Sequence, residues 1–181
     1  MAHSKGSGLL GKLTIVCFGL ALLTVLYIGL RFDPNSIPSP LVGKPAPDFE
    51  VTDLGTEKKL LLSSMVGKPV ILNFWASWCF ACKSEAAQLE TFHQKHADKA
   101  VVFGVAVQDK IEDARRFAAK YGKTYRLALD ETGRANTEYG ITGVPETFVI
   151  DEKGVITHKH VGPISEPEIL NYLEQNQKRE H

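Results

Sequence analysis

Cys79-Phe80-Ala81-Cys82 is the stretch of this sequence whose residue types and spacing can do chemistry. Two cysteines so placed can close a small disulfide, and the thiolate of one can attack a disulfide in another molecule. So short a loop gains little entropy from closure, which favours a reactive pair over a structural staple. Two thiolates could also hold zinc or copper, but such a site needs further ligands. His93 would lie about 16 Å further along the same predicted helix. His158 and His160 alternate on a predicted strand and read as one exposed face. A metal-binding module is thus the weaker reading, and no metal or cofactor is expected. The third cysteine, Cys17, sits in an apolar N-terminal run, where it reads as a small buried hydrophobe.

The elements that must position the pair follow from periodicity. Val70 to Trp75 is a continuous apolar run with the β-branched and aromatic content of a buried central strand. After Cys79, the apolar positions Ala86, Leu89 and Phe92 recur at helical spacing up to about His96, so the pair opens a helix. Unpaired N–H groups and the macrodipole at that terminus favour a thiolate by about 0.3 to 1 kcal/mol, or about 2 when sheltered. This lowers the Cys79 thiol from its ordinary value and makes Cys79 the attacking group, with Cys82 resolving. Trp78 reads as an apolar rim beside the pair, while Trp75 continues the buried strand.

Val101 to Val107 predicts a second strand and Asp109 to Tyr121 a second helix that stops at Gly122, a βαβα unit with parallel strands and a right-handed crossover. Tyr125 to Leu129 adds a short strand. Glu146 to Ile150, a turn at Asp151-Glu152-Lys153-Gly154 and Val155 to Val161 predict an antiparallel hairpin. Ser165 and Glu168 form a capping box that opens a last helix. The fold class is α/β, a central mixed sheet flanked by helices.

The chain of 181 residues has room for one ordinary domain and an appendage, and Lys and Arg balance Asp and Glu, which disfavours a nucleic-acid partner. Residues 13–30 carry no charge and span about 27 Å as a helix, enough for a transmembrane anchor in contact with lipid. Lys5 and Lys12 precede this run, placing residues 1–12 in the cytoplasm. A cleaved signal peptide has a shorter apolar region and a small-residue cleavage site, neither of which occurs here. A proline-rich linker over 31–41 leads into the domain at 42–177.

Phe74-Trp75-Ala76-Ser77-Trp78-Cys79-Phe80-Ala81-Cys82, together with Gly143-Val144-Pro145-Glu146-Thr147-Phe148, resembles the thioredoxin superfamily over about residues 42 to 174. With the N-terminal anchor, it is most similar to the membrane-anchored DsbE or CcmG family of cytochrome c maturation. The resemblance implies a thioredoxin-like fold and thiol-disulfide exchange through Cys79 and Cys82. It also implies a cis Pro145 facing the pair, with the Val144 backbone available to an extended substrate segment. Glu85 and Glu146 take the positions of acidic residues near the site, and Glu146 would restrain the acidity of Cys79. Asn73 stands where cytoplasmic thioredoxins have a buried Asp. Phe80 replaces the proline that commonly follows the first cysteine, and Thr142 stands where some relatives carry an aromatic residue. The implied substrate is apocytochrome c or its thiol carrier protein, and a membrane electron-donor thiol protein would restore the dithiol. The implied place is the bacterial inner membrane, with a single pass and the domain in the periplasm. A general periplasmic reductase or oxidase of the same fold is the alternative.

Overall fold

The structure is a computed structural model that describes residues 7–31, 39–65 and 67–179. They form two units, each described by itself. The first is helix α1 (Ser7–Arg31), built from the apolar N-terminal run. Among the described residues no helix is long and apolar enough to cross a membrane. The contiguous described side chains of α1 run from Gly11 to Tyr27. Residues 28–30 of the expected anchor lie outside them. Cys17 is exposed on this helix rather than buried.

The second unit is a seven-stranded sheet with helices on both faces. Its elements are β1 (Glu50–Asp53), β2 (Lys59–Leu61), β3 (Val70–Trp75), α2 (Ala81–His96), β4 (Val101–Val107) and α3 (Ile111–Lys120). There follow β5 (Arg126–Asp130), α4 (Arg134–Glu138), β6 (Glu146–Ile150), β7 (Ile156–Val161) and α5 (Glu166–Arg179). The strand order is β2-β1-β5-β4-β3-β6-β7, with β3, β4 and β5 parallel and the remaining pairs antiparallel. The expected βαβα unit and the hairpin are present, and β3, β4 and β6 have the bounds that periodicity sets.

Alternation along β3 divides the core in two. Ile71 and Trp75 point to one face, where they pack with Leu89 and Phe92 of α2, Phe117 of α3 and Ile169 of α5. Leu72 and Phe74 point to the other, against Phe49, Phe103, Tyr139 and Phe148. Both parallel crossovers put their helices on the first face, as right-handed connections stepping in one direction must.

Three elements depart from the sequence expectation. The hairpin of β1 and β2 is new, and its turn is closed by Asp53, whose carboxylate accepts from the N–H groups of Gly55 and Thr56. Helix α4 is also new, a five-residue element. The proline-rich stretch expected at 31–41 lies mostly outside the described residues. From Gly43 to Ala46 the chain docks on the start of β7, the N–H of Gly43 donating to Ile156 and that of Ile156 to Lys44.

Candidate active site

The fully buried strand β3 ends at Trp75, and the chain turns through Ala76 to Cys79 before α2 begins. Asp109 holds this turn from just past the end of β4. Its carboxylate accepts from the Ser77 N–H at 2.6 Å and the Ser77 hydroxyl at 2.8 Å. Gln108 adopts a left-handed backbone, φ 50°, and its carbonyl accepts from the Trp78 indole N–H at 3.0 Å. Neither residue was expected from the sequence, because their link to the turn exists only once β4 lies beside β3.

Cys79 and Cys82 form a disulfide with Cα atoms 5.4 Å apart. The two sulfurs are not equivalent. Cys79 keeps 5% of its surface at the mouth of the site, and Cys82 is 0% exposed. No side chain caps the start of α2, and the N–H of Cys82 instead points at the Cys79 sulfur, 3.0 Å away. That N–H would serve a thiolate as well as it serves the disulfide. The Val144 carbonyl lies 3.4 Å from the same sulfur. The Val144–Pro145 peptide is cis, as the resemblance implies, and Pro145 is buried beside the pair. Around them, Trp78 is 61% and Phe80 83% exposed, which makes an apolar rim of two aromatic rings. Trp75 is core, with its ring on Phe117.

Two acidic residues lie beneath this surface, on opposite faces of the sheet. Glu85 is on the α2 face, one helical turn from Cys82, and such i, i+3 neighbours share a helix face. Its carboxylate accepts from the Asn73 amide at 3.0 Å and from the Ile164 N–H at 3.3 Å. Asn73 also donates to the Thr147 hydroxyl on β6, tying helix, central strand and hairpin together. Burial pushes Glu85 up to about 7, against the Asn73 amide and the charge of Lys123. Lys123 is itself buried and is pushed down to about 7. The sequence places Lys123 in the loop after α3, where nothing marks it as buried.

Glu146 is fully buried on the other face, in step with Phe148 and Ile150. One carboxylate oxygen accepts from the N–H and hydroxyl of Thr142, both at 3.2 Å. The other lies 2.8 Å from the Lys159 ammonium, an ion pair by distance although its angle is not that of a directed hydrogen bond. This corrects the expectation that Glu146 bears directly on Cys79: its side chain leaves the sheet on the face away from α2, and a counter-charge sits against it. A second correction concerns His158 and His160, which do not form an exposed face. His160 is buried between the Tyr172 hydroxyl and the Pro163 carbonyl, and His158 stacks on Tyr172 because α5 covers this side of β7. Among the described residues, no group of three His, Cys, Asp or Glu side chains is placed to hold a metal ion.

A thioredoxin-like sheet with a dithiol pair at a helix start and a cis-proline loop against it defines a thiol-disulfide oxidoreductase. Residues 42–159 match the AhpC/TSA family. The chain is 40% identical over 147 residues to the thiol:disulfide interchange protein DsbE of Allochromatium vinosum, covering 80% of each chain. It is 36% identical over 144 residues to the thiol:disulfide interchange protein HelX of Rhodobacter capsulatus, covering 78% of this chain and 80% of that one. A crystal structure described as a putative DsbE from Chlorobium tepidum superposes with a TM-score of 0.66 at 32% identity, over 73% of this chain and 97% of that one. The chain belongs to the AhpC/TSA thioredoxin-like family, and within it to the DsbE thiol:disulfide interchange proteins.

Proposed function

We propose that this chain reduces the disulfide of apocytochrome c, or of the thiol protein that carries it, on the periplasmic side of the inner membrane. The observation that carries the chemistry is the asymmetry of the pair: the Cys79 sulfur lies at the mouth with an amide N–H and the Val144 carbonyl against it, while Cys82 is sealed behind. Cys79 attacks as the thiolate. A mixed disulfide forms, and one substrate sulfur leaves and takes a proton. Cys82 then passes its proton to the Glu85 carboxylate and attacks the Cys79 sulfur, which closes the Cys79–Cys82 bond and releases the second substrate thiolate. Two electrons have moved from the dithiol to the substrate. A membrane electron-donor thiol protein returns them. Trp78, Val144 and Pro145 form the substrate groove, Glu85 tunes the pair, and Glu146, paired with Lys159, adds only a small effect.

Residues 13–30 anchor the domain, with residues 1–12 in the cytoplasm, 31–41 as linker and 42–177 as the working domain. The uncharged run and the helix over Ser7–Arg31 support this reading. A reporter fused after Pro40 that is active only in the cytoplasm would overturn it, as would a mature chain that starts beyond Leu30.

Cys82→Ser should accumulate mixed disulfides in cells, apocytochrome c or its thiol carrier among them, and Cys79→Ser should not. Trapping by Cys79→Ser alone would reverse the assignment. A general periplasmic reductase or oxidase is the second reading, favoured by the exposed Phe80 ring, which gives this rim a different surface from a proline. Trapped partners unrelated to cytochrome c would select it.

A further inference from the structure

Lys123 is the buried charge that the dithiol chemistry described above leaves without a role. Its ammonium lies 3.7 Å from the centroid of the Trp75 ring, with the Phe117 and Tyr125 rings at 5.6 and 5.4 Å. It has no hydrogen-bond partner among the described residues, and neither does the indole N–H of Trp75 or the hydroxyl of Tyr125. A buried ammonium with only ring faces around it is costly to keep charged unless a carboxylate is near.

The carboxylate that acts on it most strongly is Glu85, with Glu90 second. Trp75 and Asn73 are successive residues on the same face of β3, about 7 Å apart along the strand. Lys123 sits on the first and Glu85 is hydrogen-bonded to the second. Other charged groups near Lys123 are committed elsewhere. Glu90 accepts from the Thr124 N–H and hydroxyl, Arg115 pairs with Glu57, and Arg126 lies 3.8 Å from Asp53. His93 meets Tyr125 in an edge-on arrangement at 6.0 Å. Behind Lys123 a cleft of about 300 Å³, lined by Asp53, Arg115, Tyr125 and Arg126 among others, opens to solvent.

We propose that Lys123 is a positioning residue for the dithiol reaction: its buried ammonium holds the charge of Glu85 and so governs the transfer of the Cys82 proton. The proposal rests on Glu85 serving Cys82, as inferred above. When Cys82 gives its proton to the Glu85 carboxylate, the Lys123 ammonium is left beside a neutral acid and loses the larger part of its counter-charge, keeping only the weaker influence of Glu90. It releases a proton through the cleft, and the pair keeps zero net charge before and after. On re-reduction the steps run backwards, with the proton entering at Lys123.

The test uses the reduced full chain with an excess of oxidised glutathione, following decay of the protein-glutathione mixed disulfide by acid quench and mass analysis from pH 5 to 9. In the wild type, the resolution rate should rise with pH with a midpoint near that of Glu85. Lys123→Met should move this midpoint up by about one pH unit or more and slow resolution at pH 7 by about tenfold, because an acid that loses a nearby cation holds its proton harder. Lys123→Arg should recover part of the loss. Glu85→Gln should remove the midpoint, and Lys123→Met added to it should have no further effect on the profile. A Lys123→Met profile that superposes on the wild type, while Glu85→Gln loses the midpoint, overturns the role of Lys123 and leaves that of Glu85 standing. An unchanged profile in Glu85→Gln overturns the reading beneath both. Should Lys123→Met fail to fold, carbon NMR titration of the wild-type chain decides. The Glu85 carboxyl and the Lys123 ε-carbon should move together through one transition, and a Lys123 that titrates alone in the ordinary lysine range overturns the proposal.

Discussion

The two faces of the sheet each bury one carboxylate close to the dithiol, and they do so in opposite ways. Glu146 has its counter-charge against it, Lys159 at 2.8 Å, with Thr142 filling the other oxygen. Glu85 has only neutral donors within hydrogen-bond reach, and its cation stands apart on the Trp75 ring. A close ion pair fixes its charge. A pair whose members share no hydrogen bond leaves the charge free to change, which is what a group that accepts and returns a proton needs. The contrast separates a structural carboxylate from a working one, although both occupy acidic positions that the family motifs mark alike.

Four measurements would break or sharpen this contrast. The largest effect is expected from Lys159→Met, which leaves Glu146 buried without its partner and should cost about 3 to 5 kcal/mol in urea unfolding of the oxidised chain. A loss below about 1 kcal/mol would show that the Glu146 pair is not structural. Next, replacing both members of the other pair, Glu85→Gln with Lys123→Met, should stabilise the fold by about 1 to 4 kcal/mol, since it removes two poorly compensated buried charges. Destabilisation there would mean that the pair was a structural ion pair after all.

The third is the pH dependence of stability. Glu85 is raised to about 7 from its ordinary value of 4.5, so its contribution is present below about 4.5 and is lost as pH rises towards 7. Lys123 is lowered to about 7 from 10.5, so its contribution is present above about 10.5 and is lost as pH falls towards 7. Together they should put a minimum near pH 7. Glu85→Gln should flatten the acid side and Lys123→Met the alkaline side, and a curve with no such minimum would count against the pairing. The smallest effect is expected from Glu146→Gln. Titration of thiolate absorbance near 240 nm should show the Cys79 midpoint falling by less than about half a pH unit, because Lys159 already cancels the charge that is removed. A fall of a full unit or more would restore Glu146 as a direct neighbour of the thiolate.

Much of this was legible in the residues. The continuous run Val70 to Trp75 and the periodic Ala86, Leu89 and Phe92 are strong local patterns, and they set the strand, the helix and the place of the cysteines between them. Strands β1 and β2, with four and three residues, and helix α4, with five, are too short for a period to register. At the site, the residues that the motifs contain could be read, and their partners could not. Asp109, Lys123 and Lys159 each act across a strand pairing or a packed face, so their charges look like ordinary surface charges until the sheet is assembled. The two histidines of β7 misled for the same reason: alternation gives their facing, but α5 decides what that face meets.

The depth difference between the two sulfurs also bears on damage by oxidants. A peroxide entering the mouth meets Cys79 first and can convert its thiolate to a sulfenic acid. Cys82, buried directly behind, can condense with that sulfenic acid, expelling water and forming the same disulfide that a normal turnover leaves. The irreversible higher acids need a second peroxide to arrive before this closure, and the resolving thiol is already in place. An oxidative hit therefore costs the protein one reduction cycle and leaves it repairable by the donor that serves ordinary turnover.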